Sequence, residues 1–181
     1  MSARGGKSAR LRAQDDAPVM FKTTKALACP FGPGNFDKNA PTARMNLNAR
    51  LDDEEALNLF KELDKWAVKY ITNNSERLLG WAMSEAQVLA KYHPCVSHRD
   101  GYDPMLHSKI STEEPHAVRY WDAEGTPRDA PKDWRNARLQ LRFHVSHMWI
   151  MASGFGLTVN ILDARVEREA TEQCDWICPF G

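Results

Sequence analysis

Apolar and polar residues alternate most regularly from Leu139 to Val166, LQLRFHVSHMWIMASGFGLTVNILDARV. Leu139, Leu141, Phe143, Val145, Trp149 and Met151 are apolar, while Gln140, Arg142, His144 and Ser146 fall between them. A period of two predicts a strand with one core face and one face offering cations, imidazole and amide. Trp149 shares the parity of Phe143 and Val145 and is assigned to the core. His144 and His147 lie three apart and point to opposite faces of a regular strand, His144 exposed beside Arg142 and His147 in or near the core. Ala152-Ser153-Gly154-Phe155-Gly156 supplies a turn, and Leu157, Val159 and Ile161 resume the alternation on a returning strand, which makes a long hairpin. At the tip of that hairpin, Phe155 has little core to enter and reads as a ligand or partner contact.

Upstream, residues 18–28 read as a strand ended by Cys29-Pro-Phe-Gly-Pro-Gly34, since two prolines and two glycines oppose regular structure. Met45, Leu47, Ala49 and Leu51 alternate with Arg44, Asn46, Asn48 and Arg50, which predicts a second strand with a basic and amide outer face. Asp52 or Asp53 then caps a helix whose apolar stripe runs through Leu57, Phe60, Leu63, Trp66, Ala67 and Tyr70, with Asn73-Asn74-Ser75 interrupting it. Ser84 and Gln87 have capping-box spacing for a short helix through Lys91. HPCVSHRDGYDP reads as a loop, Met105–Ile110 and Ala117–Trp121 as strands, and Asp122 to Gly125 as a turn. The order favours an α+β chain, mainly antiparallel β: an OB-like Greek-key barrel with a helical insertion over about 52–92 and a long C-terminal hairpin. A basic arm over 1–17, one domain over 18–168 and a tail over 169–181 complete the organisation.

With 181 residues, the chain is long enough for one buried core but cramped for two domains. Lys plus Arg and Asp plus Glu balance at 24 each, so charge has to be read locally. Arg4, Lys7, Arg10 and Arg12 precede the first acid, Asp15, in an arm too poor in apolar residues to order itself. That Arg- and Ser-rich start also has the flavour of an organelle transit peptide but lacks an amphipathic stretch. No apolar run approaches the roughly 18 to 20 residues that span a bilayer, so an intracellular protein with no membrane partner is expected.

Signatures of enzymes are missing: no phosphate loop, no G-x-G-x-x-G after a strand, no G-x-S-x-G, no H-E-x-x-H. Asp52 to Glu55 could attract magnesium, but at a helix start their ordinary work is capping. Cys95 and His98 with Cys174 and Cys178 could supply a four-ligand zinc site, although reduced thiols suit four cysteines in this length better. No cofactor is expected. Binding of single-stranded nucleic acid needs cations for phosphates and flat side chains for bases. Lys109, Arg119, Arg138, Arg142 and His144 are candidates for the first role, Tyr120 and Phe155 for the second.

The strand with Trp149, the Phe155-Gly156 turn and the Leu157-Thr158-Val159 return resemble the C-terminal hairpin of single-stranded-DNA-binding proteins of large nucleocytoplasmic DNA viruses. Asp103 to Lys109 is similar to the strand those proteins place before it. This resemblance, over the C-terminal third, implies an OB-like fold that binds single strands in replication or repair. Asp175-Trp176-Ile177-Cys178-Pro179-Phe180-Gly181 also looks like the acidic Ile-Pro-Phe tips by which bacterial single-stranded-DNA-binding proteins recruit partners. Trp176, Ile177, Pro179 and Phe180 would then form a protein-docking tail. The alternative is a structural or assembly protein anchored through Phe155 and that same cluster.

Overall fold

A computed structural model describes residues 6–35, 43–135 and 137–168. The tail residues Trp176, Ile177, Pro179 and Phe180, with Cys174 and Cys178, lie outside the described residues.

In chain order the elements are β1 (Lys7–Arg10), β2 (Val19–Lys22), β3 (Leu27–Cys29), β4 (Arg44–Arg50), α1 (Glu54–Leu79), α2 (Glu85–Leu89), β5 (Tyr92–His93), β6 (Val96–Arg99), β7 (Tyr102–Ser111), β8 (Arg119–Trp121), β9 (Pro127–Arg128), β10 (Ala137–Met151) and β11 (Gly154–Arg168). Five of these strands close a barrel in the order β3-β4-β7-β11-β10, and β10 returns to β3. All its pairings are antiparallel except β7 with β11. This is the OB-like α+β barrel expected from the element order, with the helices between its second and third strands.

Helix α1 starts where the charge pattern predicts. Asp53 is the N-cap and accepts from the Ala56 amide at 3.2 Å, and Glu54 and Glu55 face the positive end of the dipole. The same carboxylate accepts from the Thr24 amide, the Thr24 hydroxyl and the Lys25 amide, tying the helix start to the β2–β3 connection. Phe60 sits edge-on to Phe21 and Phe143, ring centroids 4.9 and 5.6 Å away, so the helix joins the barrel core through an aromatic cluster. The expected break at Asn73-Asn74-Ser75 does not occur. Asn74 donates to the Tyr70 carbonyl and Ser75 to the Thr72 carbonyl, so these side chains bond along the helix rather than terminating it. The helix ends at Gly80, in the left-handed region at φ 91°. Ser84 and Gln87 form the expected capping box on α2.

Three other expectations are corrected. The arm is ordered from Lys7 to Arg10, because the β10 edge offers unpaired backbone groups that β1 takes in antiparallel register, Lys7 opposite Ile150. The segment read as a loop, 93–104, contains β6 and the start of β7, joined at Gly101 with φ 79°. It folds because Val96 is buried opposite Leu106 and the Cys95 amide donates to half-buried Asp64. The strand over 18–28 is two strands, β2 and β3. No helix among the described residues is long and apolar enough to cross a membrane.

The long hairpin is present, but not with uniform parity. A register shift between Val145 and His147 inserts a β-bulge. Before it the core residues are Leu139, Leu141, Phe143 and Val145; after it they are Met148 and Ile150. Trp149 therefore leaves the predicted core face and lies against Gly156 and the ring of His93, centroids 5.4 Å apart. Phe155 is corrected in the opposite sense: it is 2% exposed. β11 does not start from a free tip, but pairs in parallel with β5, Phe155 opposite Tyr92, and the Phe155 amide donates to the Lys91 carbonyl at 3.0 Å. A ring held beneath the insertion can neither stack on a base nor anchor a partner.

Candidate nucleic-acid interface

Side chains on a strand alternate between faces, so the burial of Leu47 and Ala49 on β4, and of Leu106, Ser108 and Ile110 on β7, turns their neighbours outward. The outward row of β4 is Arg44, Asn46, Asn48 and Arg50. Antiparallel register sets these opposite Ser111, Lys109, His107 and Met105. Cross-strand pairs knit the face together. Lys109 donates to the Asn46 side chain, and the two His107 ring nitrogens bond the Asn48 amide oxygen at 3.0 Å and the Ser97 hydroxyl at 2.9 Å. Arg44 reaches across to the Asn160 amide oxygen of β11 at 2.9 Å.

At one end of this face lies a groove of about 920 Å³ whose lining includes Phe31, Arg50, Arg99, Tyr102 and His107. Phe31 is 67% and Tyr102 76% exposed, which places two flat side chains beside three cationic or imidazole groups. Among the described residues, Asp103 is the only carboxylate in the lining, and it pairs with Arg50 at 3.2 Å. Partial burial, with Arg99 nearby, holds His107 below the ordinary imidazole pKa, so it stays neutral near pH 7. Burial likewise lowers Lys109, helped by Arg44.

The other sequence-derived candidates are placed elsewhere. Arg119 and Arg142 both pair with Asp163, Arg119 at 2.8 Å, and the Trp121 indole donates to the same carboxylate at 3.1 Å. Arg138 donates to the Ala26 carbonyl at 2.6 Å and lies 3.6 Å from Asp52. Tyr120 is half-buried, edge-on to Trp134 at 5.9 Å, and burial pushes its hydroxyl pKa up to about 12. His144 lines a separate cavity beside β1. Of the expected residues, Lys109 alone belongs to the β4–β7 face. Of the four potential zinc ligands, Cys95 is a buried free thiol, as is Cys29 elsewhere in the core, and no group of three or more His, Cys, Asp or Glu suited to a metal occurs among the described residues.

Arg44, Asn46, Asn48 and Arg50 were readable as an outer face from their alternation. Phe31, Arg99, Tyr102 and His107 carry no comparable signal. Phe31 stands in a Pro/Gly-rich stretch, and the other three flank a hairpin read as loop or belong to a strand whose register the sequence does not specify.

The barrel and this outward face define an OB-like protein with a mixed cationic and aromatic surface on its second and third barrel strands. No protein-family model and no curated protein matches the chain. Among solved structures it is similar to gp2.5, a single-stranded DNA binding protein encoded by bacteriophage T7, with a TM-score of 0.60 and 10% identity over 88% of this chain and 97% of that one. At that identity the likeness is one of fold.

Proposed function

We propose that the protein is a non-catalytic, sequence-tolerant binder of single-stranded DNA that works where duplexes are opened in replication or repair. The observation that carries this is the continuous outward face of β4 and β7, cationic and amide along its length and ending at exposed Phe31 and Tyr102. OB folds engage oligonucleotides through this same strand pair and its neighbouring loops. Phosphates would follow Arg44, Lys109, Arg50 and Arg99, while bases stack on Phe31 and Tyr102, since every base offers a π-face. The hairpin's resemblance to viral single-strand binders and the gp2.5 fold support the same reading.

Fluorescence anisotropy with labelled oligothymidylate tests it. Four phosphate contacts give log K against log salt a slope of about −3, at roughly −0.7 per phosphate for a single strand. Lys109→Ala is expected to flatten that slope by about 0.7. Tyr102→Ala is expected to cost about 1–3 kcal/mol with the slope preserved. Absence of binding at low salt, or affinity indifferent to both substitutions, overturns the proposal.

A further inference from the structure

A second concavity, of about 600 Å³, opens where β1 docks against β10 and where Arg44 of β4 reaches across β7 to Asn160 of β11. It is lined by Arg10, Arg44, His144, Ser146, His147 and Asn160 among others, and by no Asp or Glu among the described residues. The bulge after Val145 builds it. Regular alternation would put His144 and His147 on opposite faces; the extra residue turns both, with Ser146, toward the cavity. A hydrogen-bonded chain then runs along the wall. Arg44 donates to Asn160 at 2.9 Å, Asn160 donates to the Ser146 hydroxyl at 2.8 Å, and that hydroxyl shares a hydrogen bond with His147 Nδ1 at 2.8 Å. The chain orients the Arg44 guanidinium and the His147 ring without neutralising either.

We propose that this cavity binds a terminal phosphate group, carried either by the end of a nucleic-acid strand or by a free nucleotide. Two guanidiniums, Arg10 and Arg44, with no carboxylate of the described residues in the lining, and two imidazoles able to take protons exceed what a singly charged phosphodiester would match. They suit a dianionic monoester or a polyphosphate, which Arg can grip with two parallel hydrogen bonds. Each element contributes to the field: Arg10 from β1, Arg12 just after it with Asp16 4.0 Å from its guanidinium, Arg44 from β4, His116 from the loop after β7, His144 and His147 from β10. Burial, with Arg12 and His147 beside His144 and with Arg44 and Arg10 beside His147, holds both imidazoles below their ordinary pKa. A bound anion would reverse that bias, so binding should draw in protons.

The test is isothermal titration calorimetry on the full chain at pH 7, in buffers of differing ionisation heat. Its probes are oligothymidylates with a 5′-phosphate, a 3′-phosphate or hydroxyl ends, and adenosine triphosphate. A phosphorylated end is expected to bind roughly tenfold tighter than the hydroxyl-ended strand, the scale of one charge-assisted contact. Proton uptake should accompany it, and both effects should vanish in Arg10→Gln/His147→Gln, where Arg10 is exposed and His147 half-buried, and whose thermal unfolding checks the fold. If adenosine triphosphate shows the same uptake while strand ends make no difference, the source is free nucleotide. Equal affinity for all strand ends together with no nucleotide binding overturns the proposal. The cavity shares Arg44 with the β4–β7 face, but the two readings fail separately: the β4–β7 reading fails if hydroxyl-ended strands do not bind, whatever the nucleotide does.

Discussion

Asp163 accepts from Arg119, Trp121 and Arg142 at once, and this decides which arginines are available to a ligand. Burial alone would raise the carboxyl pKa, but these three donors outweigh it and hold the pKa below the usual range. A depressed folded-state pKa contributes stability above the unfolded value of about 4, lost as pH falls through the folded value. Asp53, held down by its hydrogen bonds from Thr24, Ala56 and Lys25 against the opposing effect of burial, acts in the same window. Urea unfolding at a series of pH values should therefore show stability declining below about pH 5. Asp163→Asn should flatten part of that decline. Arg142→Ala should lower stability and leave oligonucleotide affinity unchanged, because its charge is already matched. None of this could be read from residue type. Arg142 and Arg44 look equivalent in the sequence, and only the partner across the sheet separates a structural cation from a free one.

Elements were more legible than their edges. Asp53 and Ser84 announced two helix starts through side chains that satisfy local amides, which is chemistry confined to four residues. Alternation likewise revealed β4 and most of β10. The bulge was invisible, because inserting one residue changes which side chains face inward without changing composition, and the misassignments of Trp149 and His147 follow from that single event. Phe155 failed for another reason: its burial depends on β5, some sixty residues earlier in the chain. Gly156 carries the trace of this packing. A Cβ there would meet the Trp149 ring at 2.7 Å and the His93 carbonyl oxygen at 2.9 Å. Gly156→Ala is expected to destabilise the protein by about 1–3 kcal/mol, the range for overpacking. Phe155→Ala should cost about 3–5 kcal/mol. Chemical denaturation of both variants checks this, and a Phe155→Ala loss within measurement error would show that the ring is not a core residue.

Over the whole molecule, the barrel could be anticipated because strand order and the lack of βαβ units leave few ways to close a sheet. The site could not, since a formal net charge of zero conceals how charge is distributed. Folding gathers Arg44, Arg99 and Lys109 on one side together with Arg50, which shares the face with its partner Asp103, while other cations are consumed in ion pairs away from it, such as those around Asp163 and Asp52. The anchored end of the hairpin also has a kinetic side. Because the Phe155 amide bonds Lys91 at the junction between helix and β5, that proton can exchange with solvent only when the insertion lifts from the barrel. Its exchange rate should match those of central α1 amides rather than those of a surface turn, and would report how often the helical cap and the barrel part as one cooperative unit.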